Sequence, residues 1–214
     1  MPVLLSRRDE ARALRLARSQ PESAGEFAAF IERLKEQVVE VALGDGRVLE
    51  RVGGGRYRVL TADYREDKAR DGEKVARLAE VGIYDYDRDV LVVAVVDLRS
   101  GEVTGLLERD GAAPPITLEE LDEAREVAAG VPGASAALRH PRARVVAFPT
   151  PSYAFEARPG AQRHRGCILY GTGPVGEALS VVVDLSARQV VPDDELPEIL
   201  RTHSEAGADR PEEQ

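Results

Sequence analysis

The sequence predicts an α+β protein of two tandem units, each an antiparallel sheet curled over a helix, and three observations carry that prediction. Val95-Val96-Asp97-Leu98 followed by Gly101-Glu102-Val103 returns as Val182-Val183-Asp184-Leu185 followed by Arg188-Gln189-Val190. Asp9-Glu10-Ala11-Arg12, in a charged Leu/Ala-rich run, reappears as Asp122-Glu123-Ala124-Arg125, so each copy opens with a related helix. Helix signals then precede runs of strands without strand–helix–strand alternation, which argues against a doubly wound fold. A chain of 214 residues accommodates two such units, each of about 100 residues. The expected boundaries are 1–109 and 110–197, with 198–214 a charged, Pro/Gly-containing tail too polar to order.

Ser6 is placed to cap a first helix whose opening turn holds Asp9 and Glu10 and which runs to about Arg18. After Pro21 and Gly25, the helical spacing of Phe27, Phe30, Ile31 and Leu34 predicts a second, short helix. From Val38 the pattern reads as strand: Val39, Val41 and Leu43 alternate with Glu40 and Ala42. Gly44-Asp45-Gly46 turns, and Val48 with Val52 returns to Gly53-Gly54-Gly55, predicting a hairpin. Tyr57 and Val59 begin another strand, and the polar stretch from Asp63 to Lys74 reads as a loop. Leu78–Tyr86 and Val90–Leu98 are strands joined across Asp87-Arg88-Asp89. Ser100-Gly101 turns the chain into a last strand, Glu102–Leu107.

Asp110-Gly111-Ala112-Ala113-Pro114-Pro115 is a stiff linker, because its prolines fix φ and cannot continue a ladder. Thr117 with Glu120 forms a capping-box pattern ahead of a helix through Ala128, which Gly130 and Pro132 end. Ala134–Arg139 reads as a further short helix stopped by Pro141. Val145–Phe148, Cys167–Tyr170, Ala178–Leu185 and Gln189–Val191 read as strands, and Leu196–Leu200 as a helical turn.

Apolar residues make up 43% of the chain and aromatics 5%, with no Trp, so the core must be aliphatic. A net charge of -9 opposes sequence-independent binding to a phosphate backbone, which needs clustered Lys and Arg; nucleic acid is not an expected partner. No apolar run reaches the roughly 18 residues that span a membrane. The opening Met1-Pro2-Val3-Leu4-Leu5 gives way at once to Arg7-Arg8-Asp9-Glu10, unlike a secretory signal. A single cysteine, Cys167, forbids an internal disulfide, and the expected location is the cytoplasm. Arg dominates over Lys, present only at Lys35, Lys68 and Lys74, and Asn is absent, a bias pointing to a high-GC bacterial genome.

Arg77-Leu78-Ala79-Glu80-Val81 to Tyr84-Asp85-Tyr86, continuing to Val95-Val96-Asp97-Leu98-Arg99-Ser100-Gly101-Glu102-Val103, resembles the first of two small cystatin-like domains that precede the catalytic domain of copper amine oxidases. Pro115-Ile116-Thr117-Leu118-Glu119-Glu120 through Ala136-Ala137-Leu138, with Val182-Val183-Asp184-Leu185 to Val190-Val191, looks like the second. The resemblance implies two tandem cystatin-like units. The family's chemistry belongs to a separate large β-sandwich domain with an Asn-Tyr-containing quinone precursor, three copper-binding His and an Asp base. This sequence has no Asn, and its three His are scattered as His140, His164 and His203. None of the family's catalytic residues carries over, and the resemblance implies no copper or quinone here.

Gly171-Thr172-Gly173-Pro174-Val175-Gly176 spells a dinucleotide fingerprint, but the strand-like Leu179-Ser180-Val181-Val182-Val183 follows it instead of the helix whose N-terminus would hold a pyrophosphate. Gly53-Gly54-Gly55 reads as a turn. His140 reads as a solvated helix end and His203 lies near the tail, and neither the His positions nor Cys167 offers metal-ligand spacing; neither metal nor cofactor is expected. Cys167, between Gly166 and Ile168, reads as a small buried hydrophobe. Asp97 and Asp184 precede turns, where a carboxylate accepts backbone amides. The pairs Glu119-Glu120 and Asp193-Asp194 read as solvated. The segment Phe148–Gly166 is long for a loop and carries Tyr153, Phe155, Arg158, Arg163, His164 and Arg165 among prolines. Tyr153, Phe155, Arg163 and His164 are the candidate ligand-binding residues.

Two readings of function follow. In the first, the chain is a non-catalytic accessory protein whose exposed strand edges take up a partner protein or peptide, or a second copy of itself. In the other, it is a small enzyme or ligand carrier, as in a bacterial biosynthetic pathway, with a site in the concavity of one sheet lined by Tyr84, Tyr86, Tyr153, Tyr170 or His164. A deep pocket of convergent polar groups favours the second; a filled aliphatic interior beside an exposed apolar patch favours the first.

Overall fold

A computed structural model of the chain describes residues 24–67, 76–131, 134, 138, 144–150, 164–172, 178–198 and 200. The chain divides into two compact units, one of Met1–Asp85 with Val90–Arg109 and one of Tyr86–Asp89 with Asp110–Gln214. The architecture is α+β, with two four-stranded antiparallel sheets.

In the first unit, helices α1 (Ala24–Gly44) and α2 (Gly46–Val52) precede strands β1 (Tyr57–Asp67), β2 (Ala76–Asp85), β3 (Val90–Asp97) and β4 (Glu102–Asp110). The strands follow one another across the sheet in chain order. The hairpin expected over residues 38–52 is instead the end of one helix and the whole of the next. Leu34, Val38 and Ala42 recur every fourth residue and are all buried, so one helical stripe reaches the core, whereas Val39, Val41 and Leu43 are only half-buried. The alternation that suggested a strand comes from residues at the margins of that stripe. Asp45 accepts the amide of Arg47 and caps α2, whose Val48 and Val52 share one buried face. Gly53, at φ 75°, closes the helix in the left-handed conformation that glycine adopts without a steric cost.

Strand β1 also runs further than expected, continuing through Asp63–Asp67 where a loop was anticipated. Polar residues suffice there because β1 is an outer strand of the sheet. Its ladder pairs Asp63 with Glu80 and Arg65 with Leu78, and the Arg65 guanidinium donates to Glu80 at 2.6 Å. The rest of the expected loop, 68–74, lies outside the described residues, as does the expected helix Ser6–Arg18.

The core of this unit is aliphatic, as the composition required. Ala79, Val81 and Ile83 of β2 lie opposite Val96, Ala94 and Val92 of β3, and this face meets Leu34, Val38, Ala42, Val48 and Val52. On the opposite face Tyr84, Leu91 and Val93 are buried too, which accounts for an uninterrupted apolar run in β3 instead of alternation. A register shift between Val59 and Thr61 brings Thr61 against Gly82, where a Cβ would stand 2.6 Å from the Thr61 hydroxyl. A side chain at Gly82 would require the Thr61 hydroxyl to move aside at that bulge.

In the second unit, α3 (Leu118–Ala128) precedes β5 (Arg144–Pro149), β6 (Gly166–Thr172), β7 (Ala178–Asp184) and β8 (Gln189–Val190), again in chain order across the sheet. Thr117 and Glu120 form the expected capping box. Glu120, Ala124 and Ala128 are the buried stripe of α3, which packs on β6, β7 and β8. Of the helix expected at Ala134–Arg139, Ala134 and Leu138 are described, and both are buried. A 3-10 turn over Asp193–Glu195 seats Leu196 beside Ile168, Val182 and Val191, and of the helical turn expected at Leu196–Leu200, Glu198 and Leu200 are helical. Residues 201–214, expected to be disordered, lie outside the described residues. No described helix is long and apolar enough to cross a membrane.

Candidate functional site

Of the four residues expected to bind a ligand, His164 is described; Tyr153, Phe155 and Arg163 lie outside the described residues, with His140, His203 and most of the Phe148–Gly166 segment. Of the other aromatic candidates, Tyr84 and Tyr86 are buried and Tyr170 is half-buried.

His164 precedes β6 and belongs to a polar cluster of the second unit. Its Nδ1 lies 2.8 Å from Asp184 Oδ2, and its Nε2 lies 3.7 Å from Asp89 Oδ2. Asp184 ends β7, is fully buried, and with its other oxygen accepts the Ala187 amide at 2.8 Å. The Ser186 hydroxyl donates to Asp89 Oδ1 and accepts the Arg165 amide at 3.0 Å. A histidine, a carboxylate and a serine are thus neighbours, but not in the order nucleophilic catalysis needs. The serine proton points to Asp89 and the imidazole to Asp184 and the other oxygen of that same Asp89, so the hydroxyl is paired with a carboxylate and not with the imidazole that a triad would use as its base.

Beside this group lies a second. Arg165 donates Nε to Glu120 Oε1 and Nη2 to Glu120 Oε2, the latter at 2.8 Å, and reaches the carbonyls of Pro114 and Pro115 at 3.1 and 3.0 Å. Glu120 also accepts the Tyr86 hydroxyl at 2.6 Å and the Thr117 amide at 3.0 Å. Burial pushes the Glu120 carboxyl up. The hydrogen bonds and charge of Arg165, with the Thr117 and Tyr86 donors, outweigh it and leave the carboxyl below its ordinary range.

The expectation that Glu119-Glu120 is solvated therefore fails at Glu120. As the third residue of the capping box its side chain folds back over the helix N-terminus, which places it inward, and Arg165 compensates its charge there. Glu119 is exposed as expected. Sequence reasoning missed Glu120, Tyr86, Arg165 and Asp89 as members of one network. The capping-box motif was the available signal for Glu120; nothing local marks the other three.

Other candidates settle simply. Cys167 is buried in β6, and burial pushes its thiol up to about 12, so it is protonated and unreactive at neutral pH. The glycine run after Tyr170 joins β6 to β7, antiparallel neighbours whose ladder closes at Thr172 and Ala178; residues 173–177 lie outside the described residues. Asp97 accepts the amides of Arg99 and Ser100 at 2.7 and 3.0 Å, the turn role expected of it. Among the described residues no group of three His, Cys, Asp or Glu could hold a metal. The first unit has an open groove of about 610 Å³ lined by Val41, Asp45, Arg47, Glu102 and Val103 among others. There Arg47 is engaged by the Asp45 carboxylate and the Val103 carbonyl, both at 2.6 Å.

The more open chemistry is at β5, an outer strand of its sheet among the described residues. Val146 and Phe148 are each 53% exposed, unusual for large apolar side chains on a strand. Phe148 meets Tyr170 edge-on, ring centres 5.9 Å apart. The Thr150 amide donates to Gly166 across the β5–β6 register. Antiparallel alternation then turns the amides of Phe148 and Val146 toward β6, and those of Ala147 and Val145 outward. Pro149 falls in the outward series, the position where a proline costs the sheet no hydrogen bond.

No protein-family model matches this sequence, and no curated protein matches it. Among solved structures, a copper-containing benzylamine oxidase from Hansenula polymorpha is similar to it with a TM-score of 0.45 and 16% sequence identity, over 72% of this chain and 28% of the oxidase. The chain thus corresponds to well under a third of that oxidase's length.

Proposed function

We propose that this chain is a non-catalytic binding protein that takes up an extended segment of a partner protein or peptide along the outer edge of β5. The observation that carries this reading is the pair Val146 and Phe148, half-exposed on an outer strand whose Val145 and Ala147 amides point outward. An added strand would satisfy those amides and the intervening carbonyls and cover the two side chains, the physics of strand addition. The polar cluster supports the same reading, because Glu120 is paired with Arg165, Asp184 with His164, and Ser186 with Asp89 and the Arg165 amide. Such a network rigidifies the unit behind the edge.

Panning a library of random dodecapeptides against the purified chain tests this. The expected result is enrichment of peptides with alternating apolar residues, whose binding Phe148→Asp and Val146→Asp abolish while the circular dichroism spectrum stays unchanged. Enriched peptides that bind these variants undiminished, or no enrichment at all, would overturn the proposal.

A further inference from the structure

The edge of β5 differs in charge from the rest of the protein. The chain holds 38 acidic and 29 basic residues, yet from Val127 to Phe155 there is no Asp or Glu, while Arg139, Arg142 and Arg144 fall within that stretch. Arg144 begins β5 and is exposed. In a pleated strand Arg144, Val146 and Phe148 project from the same face. That face therefore reads, along the chain, as cation, aliphatic, aromatic.

Resting on the strand-addition reading, we propose that the segment β5 accepts is acidic at one end, with the pattern apolar-x-apolar-x-acidic in an antiparallel partner. The two apolar side chains lie against Phe148 and Val146, and the carboxylate lies against Arg144. Pro149 offers no outward amide, so the amide pairing of an added strand stops short of it, and the partner's register is fixed by that end. The charge comes from the partner's own side chain and the attraction is partly screened at the surface, so its contribution is selectivity more than affinity.

Two labelled peptides, alternating valine with threonine and ending in glutamate or in lysine, test this by fluorescence anisotropy against the full chain. The glutamate peptide is expected to bind about threefold to tenfold more tightly, the range of an exposed ion pair exchanged for a like-charge contact. Raising the salt concentration should compress the difference. Arg144→Gln should remove it and Arg144→Glu reverse it. Equal binding of both peptides overturns the acidic specificity and leaves strand addition standing, whereas failure of both to bind overturns both.

Discussion

The string Val-Val-Asp-Leu ends a strand twice, and its aspartate does the same local work both times in very different surroundings. Asp97 accepts the amides of Arg99 and Ser100 at a half-buried turn. Asp184 accepts the Ala187 amide in the same way, but is fully buried and spends its second oxygen on His164. The turn that follows is held from behind as well: the Arg165 carbonyl accepts the amides of Leu185 and Ser186 at 2.8 and 3.2 Å, and the Arg165 guanidinium is fixed on Glu120. In the first unit the Leu98 amide likewise donates to the Arg77 carbonyl at 3.0 Å, so the tetrapeptide makes a turn pinned to the neighbouring strand in both units, and only in the second is that turn also the rim of a buried charge network among the described residues. Sequence sets the turn; the burial around it sets what the second carboxylate oxygen can do.

The largest effect is expected from removing the anchor of that network. Glu120→Ala leaves the Arg165 guanidinium buried without its carboxylate, and should cost the second unit about 3–5 kcal/mol. Hydrogen exchange at the β7 amides across a urea series measures it. Replacing the pair together, Glu120→Leu with Arg165→Met, should recover most of the loss, because the cost lies in the orphaned charge. A double variant as unstable as the single one would show that the pair matters for more than compensation.

Next in size, the two aspartates should separate. Asp184→Ala removes a buried, charge-assisted partner of His164 together with the turn bond and should cost about 2–3 kcal/mol, against about 1 kcal/mol for Asp97→Ala. Equal losses, measured by exchange at β7 and β3, would mean that the turn bond alone accounts for both and that the His164 contact is idle.

Acid should act on the second turn through Glu120. Its carboxyl titrates lower in the folded chain than in the unfolded one, so its stabilisation is complete above the unfolded value, near 4.3. It disappears as the pH falls through the folded value, because the unfolded state takes up the proton first. Stability of the second unit should therefore decline below about pH 5. Glu120→Gln should be less stable at pH 7 and decline less. Parallel pH profiles for the two proteins would remove Glu120 from the acid response.

Much of this could be read from residues in order. The Thr117–Glu120 capping box, the β2–β3 hairpin and the strands of the second sheet follow from local pattern, because each element's signal lies within its own few residues. Residues 38–52 misled because the β-branched Val38, Val39, Val41, Val48 and Val52 also suit strands, and tertiary burial of Leu34, Val38 and Ala42 chose the helix. The network was illegible for another reason. Asp89, Glu120, His164 and Asp184 come from four separate stretches, and no local rule joins them. The β5 edge was legible only as a strand; its exposure is a property of the sheet.

The smallest effect is the sharpest test of whether the two turns share one backbone. Gly101, at φ 67°, and Arg188, at φ 54°, stand at the same place after the repeated aspartate, and both are in the left-handed region. Glycine adopts that conformation freely, whereas for other residues it costs roughly 1 kcal/mol or more. Arg188 is partly compensated by an ion pair with Glu123 at 3.1 Å, but its side chain is 59% exposed, which limits such a pair to a few tenths of a kcal/mol. Arg188→Gly should therefore stabilise the second unit by about 0.5 kcal/mol, and Gly101→Ala should destabilise the first by about 1 kcal/mol. Opposite signs in urea-dependent exchange follow if conformation governs both positions. A destabilising Arg188→Gly would mean that the Glu123 contact outweighs the strain, and that the second turn is held by charge even where its counterpart is held by glycine.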